Sequence, residues 1–482
     1  MSTQIMSTQI DHDDLFIGGA FVVAASDDRV TAINPANEQI IGTVPRGNAE
    51  DVDRAVTAAR AAFRQWSQTT GSQRGEALSR LADAFAKRAD DFAALVCRQN
   101  GAPQWWVRQN ARITEAIYRN GAKKAAAIVA EEVLPSGKYG TVVRKEPLGV
   151  VAAIAPWNSP QALLSMKLAA ALAAGCTVVV KPSPETSLDS YLLAEAIREA
   201  GIPDGVVNIV TGGAETGAML VAHPGIDKVS FTGSTEAGRA IAISCAENFK
   251  ALVAELGGKS AAVLLDDADI ETFTDSIPWR CVPFSGQVCH AITRVIVPRS
   301  RHDEIVAAMV SKLSSLPYGD PVDPDVLLGP VATAGQRARV EDYIRIGIEE
   351  GARLVLGGGR PDGFDNGYYI EPTILTGVDA SMRIFTEEIF GPVLTVAVYD
   401  TEDEAVALHD ATDFGLSGSV FSQDIERATA FGRRLATGEV LVNGKHGEPN
   451  VDLVRSFYKH SSIGGGMDLV PGYQLTKAIP RG

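Results

Sequence analysis

Residues 150–183 read VVAAIAPWNSPQALLSMKLAAALAAGCTVVVKPS, and this stretch decides the fold. Val150–Ala155 is an apolar run with β-branched residues and reads as a buried strand. Pro160–Ala174 is Ala/Leu-rich and helix-like, with Gly175 as its stop, and Thr177–Val180 is a second buried strand. The alternation continues through a helix at Ser187–Ala200 closed by Gly201, a strand at Val206–Val210 and a helix at Ala214–Ala222. It ends with a strand at Lys228–Thr232, a helix at Thr235–Ala246 and a strand at Ala251–Leu256. Short apolar runs alternating with helices predict an α/β fold, a parallel sheet covered on both faces. Such sheets bind ligands beyond the carboxyl ends of their strands.

Working outward, Ala49–Phe63 and Ser72–Gln99 read as amphipathic helices, the second broken by Gly101-Ala102-Pro103. Leu134 to Gly140 reads as a hairpin-like turn between β-prone flanks. A second alternating series runs from Thr293 to Val398, with Arg294–Val297 as strand and Arg301–Leu313 as helix, so a second α/β domain is expected. The opening Met1–Ile10 is a tandem Met-Ser-Thr-Gln-Ile, which is set aside from the fold and expected to be disordered.

A chain of 482 residues exceeds one simple core and fits two or three domains. With 45% hydrophobic and 21% charged residues it has a soluble globular composition. A formal charge of -15 repels phosphate backbones and argues against nucleic-acid partners. The five cysteines are odd in number and none form Cys-x-x-Cys, which argues against a disulfide framework and a structural zinc site. No metal site is expected, because the seven histidines form no His-x-x-x-His helix motif. No secretory signal and no uncharged spanning stretch is read, so a cytoplasmic protein without membrane contact is expected.

The chemistry centres on Cys289, in Ser285-Gly286-Gln287-Val288-Cys289, and on Glu255, in Glu255-Leu256-Gly257-Gly258-Lys259-Ser260. A thiol becomes a strong nucleophile with a modest pKa shift, and a carboxylate can then activate water. A lone cysteine is ordinarily a small buried hydrophobe, so the reading rests on its company. Phe231 to Gly238 places Gly233-Ser234-Thr235 at a strand-to-helix turn, whose free N–H groups suit a pyrophosphate or make an ordinary N-cap. Asn158, in Pro156-Trp157-Asn158, can donate to an oxyanion or simply form a turn. Lys181-Pro182-Ser183 and Glu387 to Val393 are equally ambiguous when taken singly. The ordinary Gly-x-Gly-x-x-Gly fingerprint is absent from the strand–helix turns.

Together and in this order, these motifs resemble the aldehyde dehydrogenase superfamily from about Asn34 to Lys477. The resemblance implies a Rossmann-type cofactor domain (11–128 and 148–257), an α/β catalytic domain (258–455) and a small β oligomerisation arm with the C-terminal segment (129–147 and 456–482). It implies that Cys289 adds to an aldehyde, that Asn158 and the Cys289 N–H hold the oxyanion, and that Glu255 is the general base for hydrolysis. Lys167 joins the catalytic set. Lys181 would hold the adenine-side ribose, Ser234 the pyrophosphate and Glu388 the nicotinamide ribose, with Phe390 beside it. Ile154, Pro156, Trp157, Ser183, Glu185, Gly212, Gly233 and Gly257 complete the implied cofactor site. The cofactor would be NAD, with NADP the alternative. The partner would be a small-molecule aldehyde, and the assembly a homodimer or homotetramer.

The chain departs from the family in three places. Ser456 to Gly466 replaces the usual Arg-Glu pair with Gly465-Gly466, and the partner of Lys167 becomes Asp468 as the available guess. Pro184 stands where NAD-using members carry Glu, so Glu185 is the carboxylate left to disfavour a 2′-phosphate. The tunnel positions are Ser159, Ala162, Leu163, Met166, Val288 and His290. Met166 replaces the arginine expected of a semialdehyde enzyme, so a medium to long apolar or aromatic aldehyde is expected. Cys289 and His290 are expected on opposite sides of a strand, which argues against a dyad. The competing readings are a cofactor-independent cysteine hydrolase or acyltransferase and a non-catalytic NAD-binding scaffold. The coenzyme-A-dependent branch is disfavoured by the presence of Glu255.

Overall fold

The computed structural model describes residues 9–444 and 454–481. Its first sheet has eight strands in the order Ser462–Ile463, Ala251–Glu255, Lys228–Thr232, Val150–Ile154, Thr177–Lys181, Val207–Ile209, Asp14–Ile17 and Ala20–Val23. The five central strands are parallel, and the pairs at both edges are antiparallel. All five residues of Val150–Ile154 and of Thr177–Lys181 are buried, as a sheet packed on both faces requires. The helix Pro160–Ala174 and the strand Lys228–Thr232 have the bounds expected from the sequence. Chain order reverses between Val150–Ile154 and Lys228–Thr232, so their carboxyl ends diverge into a crevice.

A second sheet of seven strands runs Arg353–Leu356, Thr373–Thr376, Val393–Tyr399, Ile292–Pro298, Ser260–Leu264, Gly418–Phe421 and Val440–Val442. Separate apolar cores fill both of its faces. A third sheet pairs Gln474–Pro480 with Thr141–Pro147, and that strand with Glu131–Leu134, across the hairpin expected at Leu134 to Gly140. Among the described residues no helix is long and apolar enough to cross a membrane.

Three expectations are corrected. The single helix Ser72–Gln99 is two helices, Gly71–Ala86 and Ala89–Asn100. Arg88 leaves helical geometry at φ -109° and ψ 7°, and Asp90 and Asp91 favour a new N-terminus. Phe85 stacks on Phe92 at 4.5 Å across the break, so both helices stay on one core. The helix Gln104–Ala126 lies outside the elements read from the sequence, and it packs on both Gly71–Ala86 and Pro160–Ala174. At the N-terminus, Ile10–Asp11 is not excluded from the fold but pairs parallel with Ile40–Pro45. Residues 1–8 of the repeat lie outside the described residues.

The second sheet is tied to its surroundings by Arg294, which is 1% exposed. It donates to the carbonyls of Lys259 (2.8 Å), Leu408 (2.9 Å) and His409 (2.7 Å) and lies over the Phe385 ring. Arg294→Met keeps the packing and strands these acceptors. It is expected to destabilise the fold by about 2–4 kcal/mol, read as a lower urea midpoint. A change within about 0.5 kcal/mol would show that the anchoring is not a stabilising interaction.

Candidate active site

Strand Ala251–Glu255 ends in the first sheet and strand Ser260–Leu264 begins in the second, so 256–259 is the crossover between them. Glu255 is therefore the last residue of one sheet. Cys289 lies in the turn before Ile292–Pro298, the strand beside Ser260–Leu264. The two sheets approach through bare backbone. A Cβ at Gly258 would stand 2.3 Å from the Cys289 carbonyl oxygen, and one at Gly257 would stand 2.5 Å from Glu388 Oε2. The Gly258 approach is to backbone and admits no side chain, whereas a side chain at Gly257 would have to push the Glu388 carboxylate aside.

The Cys289 thiol and the Glu255 carboxyl lie close enough across this junction to shift each other's ionisation, and among the described residues Glu255 Oε2 has no hydrogen-bond partner. Burial pushes Glu255 up to about 7, against the pull of the Cys289 thiol and the Lys167 charge. Burial, then the Glu255 charge, pushes the Cys289 thiol well above its ordinary value. The resting site thus keeps a protonated sulfur beside a carboxyl poised to take or give a proton near neutrality. The loop before the nucleophile is strained, with Phe284 at φ 46° and Ser285 at φ 51°. It is held by Ser285 Oγ donating to the Gly329 carbonyl (2.6 Å) and Gln287 Oε1 accepting from Ala332 N–H (2.9 Å). Cys289 and His290 share a turn, not a strand, which corrects the expected geometry.

Asn158 is 5% exposed in the turn between Val150–Ile154 and Pro160–Ala174. Its amide donates to the Gln287 carbonyl (3.0 Å) and its oxygen accepts from Ser159 N–H (3.1 Å). The amide is thus fixed beside the Cys289 loop, with a second N–H left for a ligand. Lys167, 2% exposed, donates to Ser230 Oγ (3.1 Å) and Thr232 Oγ1 (2.8 Å) and pairs with Asp468 at 3.3 Å. Asp468 also accepts from Ser230 Oγ (2.7 Å) and from the Tyr473 hydroxyl. The ion pair guessed from the sequence is present. It is reached because Gly464, Gly465 and Gly466 are all left-handed, at φ 67°, 86° and 77°, which turns the chain back toward the sheet.

A cleft of about 1120 Å³ opens over the crevice and is lined by Pro156, Trp157, Asn158, Gly233, Ser234, Glu255, Gly257, Cys289, Glu388 and Phe390, among others. Ser234 caps helix Thr235–Glu247 by accepting from Ala237 N–H at 3.2 Å, so the ordinary cap and the cleft wall are the same residue. Glu388 Oε1 accepts from Gly258 N–H at 2.9 Å, and Phe390, at φ 63°, meets Trp157 edge-on at 5.4 Å. A helix N-terminus at one end, a carboxylate at the other and a crevice between them fit an extended dinucleotide.

Five of the expected cofactor residues do not line this cleft: Ile154, Lys181, Ser183, Glu185 and Gly212. They gather at the neighbouring strand end, where Ile154 and Lys181 are register partners. Lys181 Nζ donates to the carbonyls of Pro182 (2.6 Å) and Gly212 (3.0 Å), and Ser183 Oγ donates to Glu185. Burial pulls Lys181 down to about 8. The sequence reading missed Gln336, Arg339, Tyr343, the 410–414 segment and His460, all of which line the cleft. Gln336 donates to the carbonyls of Ile389 (3.0 Å) and Phe390 (2.8 Å), and Arg339 to that of Glu388 (2.6 Å). Gln336 and Arg339 sit at helical spacing on one face of Ala334–Glu349, a signal visible only once the facing loop is known.

On the other side of Asn158, a small cavity is walled by Phe85, Phe92, Val96, Trp106, Ser159 and Ala162. Val288 and Phe284 pack with Trp106 beside it. Leu163 lines the main cleft, whereas Met166 is 40% exposed. The expected tunnel residues therefore do not share one cavity.

A sequence model described as the aldehyde dehydrogenase family matches residues 21–473. The chain is 44% identical to a geranial dehydrogenase of Castellaniella defragrans, over 98% of this chain and 99% of that protein. It superposes on a Mycobacterium tuberculosis aldehyde dehydrogenase complexed with NAD+ at a TM-score of 0.93, with 40% identity and 98% of each chain covered. It superposes equally, at 0.93 with 38% identity and 98% of each chain covered, on a mutant of aldehyde dehydrogenase C from Pseudomonas syringae complexed with NAD+ and octanal. The chain belongs to the aldehyde dehydrogenase family and is an NAD(P)-dependent oxidoreductase of aldehydes.

Proposed function

We propose that the protein oxidises a medium to long apolar or aromatic aldehyde to its carboxylic acid through a thioester on Cys289. The observation that carries this is the Cys289 thiol facing the Glu255 carboxyl beside the fixed Asn158 amide. In the first step the Cys289 thiol gives its proton to solvent as its sulfur bonds the aldehyde carbon, and Glu255 stays a carboxylate for the second step. The oxygen left negative is held by Asn158 Nδ2 and the Cys289 N–H. NAD, when bound, supplies the hydride acceptor. Glu255 then takes a proton from water as the hydroxyl adds to the thioester carbon, and the Cys289 thiolate departs. The Lys167–Asp468 pair stands behind Glu255, where the Lys167 charge favours the carboxylate.

The apolar wall of Phe284, Val288 and Trp106, and Met166 in place of a cation, favour an uncharged chain. The geranial and octanal associations of the two similar proteins agree with it. In this reading Ser234, with Gly233, holds the pyrophosphate, Glu388 holds the nicotinamide ribose with Phe390 beside it, and Gly257 lets the backbone pass close to Glu388. Lys181, Ser183, Glu185, Gly212 and Ile154 form the adenine-side end of the cofactor site, with NAD preferred over NADP. The cofactor unit spans 11–128 and 148–257, the catalytic unit 258–455. The arm (129–147 with 456–482) carries Val133, Leu134, Leu475 and Ile479 at 45–55% exposure, apolar surface suited to a contact in a homodimer or homotetramer. Five free cysteines agree with a reducing, cytoplasmic setting.

Octanal and benzaldehyde are expected to exceed succinate semialdehyde in kcat/KM by about tenfold or more, a difference of one charged-group desolvation. Turnover should vanish in Cys289→Ala, and a preference for succinate semialdehyde would contradict the substrate assignment. The hydrolytic step should rise with pH through about 7, because Glu255 acts only when ionised. In Glu255→Gln that limb disappears and kcat falls by about 10²–10⁴-fold, whereas an unchanged pH profile in this variant would remove Glu255 from the base role. Glu185→Gln should move the NAD/NADP preference toward NADP, and a preference that stays put assigns the selection elsewhere.

A further inference from the structure

Lys259, the residue after the glycine pair, is 2% exposed, and among the described residues its Nζ has no hydrogen-bond partner. A primary amine so placed is costly in either protonation state unless a counter-charge stands near. The charges near enough to act on it are Arg294 and Arg339, which oppose its protonation, and Glu388 and Glu387, which favour it. Its own carbonyl is pinned by Arg294 Nε at 2.8 Å, which fixes the base of the side chain. One residue earlier, Gly258 N–H holds Glu388 Oε1 at 2.9 Å, so the crossover binds this carboxylate directly beside Lys259, whose charge acts on it without a direct contact.

We infer that Lys259 is a positioning residue for cofactor binding, the internal counter-charge that lets Glu388 meet ribose hydroxyls as a carboxylate. The inference rests on the assignment of Glu388 to the nicotinamide ribose made above. Glu388 lines the cleft, where desolvation opposes its ionisation, while the Gly258 N–H, Arg339 and Lys259 favour it. Desolvation by the cleft walls pushes Glu388 up to about 7, and burial pulls Lys259 down to about 7. Each charge therefore favours the other. When Glu388 gives up its proton, Lys259 can hold one, and the interior stays neutral. A carboxylate accepts two hydroxyl donors, whereas the carboxylic acid must keep one oxygen as a donor. Removing the ammonium raises the Glu388 pKa, so ionisation, and with it tight cofactor binding, needs a higher pH.

The test is the dissociation constant of NAD+ measured by calorimetry between pH 6 and 9, without substrate, for wild type, Lys259→Met, Lys259→Gln, Glu388→Gln and the Lys259→Met/Glu388→Gln double variant. Lys259→Met and Lys259→Gln are expected to bind about 3- to 10-fold more weakly at pH 6.5 and to converge on wild type at pH 9, where Glu388 is ionised regardless. Glu388→Gln should weaken binding most at pH 9 and approach wild type toward pH 6, where wild-type Glu388 is mostly protonated, and adding Lys259→Met to it should introduce no further pH dependence. A loss of equal size at every pH, or no loss, in both Lys259 variants overturns the pairing while leaving Glu388 in place. If Glu388→Gln binds NAD+ at pH 9 as wild type does, the ribose assignment itself fails and the pairing with it.

Discussion

Everything at this site depends on two backbones passing closer than side chains permit. The Gly258 Cα lies against the Cys289 carbonyl, and Gly257 lies against the Glu388 carboxylate. That contact sets the distance between a strand end in one sheet and a strand start in the other. Because Glu255 closes the first strand and Cys289 precedes the second, acid and thiol meet without either element bending toward the other. The segment around Ser461 braces the same crossover: its hydroxyl donates to the Gly257 carbonyl at 2.7 Å and its carbonyl accepts from Leu256 N–H at 3.0 Å. The unusual C-terminal stretch thus remains part of the site despite its altered sequence.

Desolvation then decides the protonation states. Glu255 and Glu388 are half-buried in the cleft wall, and desolvation pushes both toward neutrality. Two cations enter from behind, Lys167 near Glu255 and Lys259 near Glu388. They differ in how they are satisfied. Lys167 has two hydroxyls and Asp468, a full set for an ammonium, whereas Lys259 has none. The first is a fixed charge held by a network, and the second is free to respond to the carboxylate before it.

The cofactor sheet was legible because its strands are short apolar runs with sharp stops, such as Val150–Ile154 and Thr177–Lys181 before a turn. Cys289, Glu255 and Asn158 were legible because their neighbours admit few other uses, the glycines above all. The split at Lys87–Arg88 was not, since helical periodicity continues on both sides and only stacking of Phe85 on Phe92 shows the bend. The edge strands Asp14–Ile17 and Ser462–Ile463 depend on partners far away in sequence. Gln336 and Arg339 act on main-chain carbonyls, which leave no trace in residue identity. Lys181, expected to reach a cofactor from beyond its strand, is folded onto the Pro182 and Gly212 carbonyls rather than into the cleft, a local pairing its sequence neighbours do not announce.

The central claim is that Cys289 carries the acyl group and Glu255 releases it. The most direct measurement is the intact mass and peptide map of Glu255→Gln after exposure to NAD+ and octanal. The account predicts one acyl group per chain on the peptide containing Cys289, formed with one equivalent of NADH and lost slowly. Sustained turnover with no adduct, or an adduct on another cysteine, would contradict it.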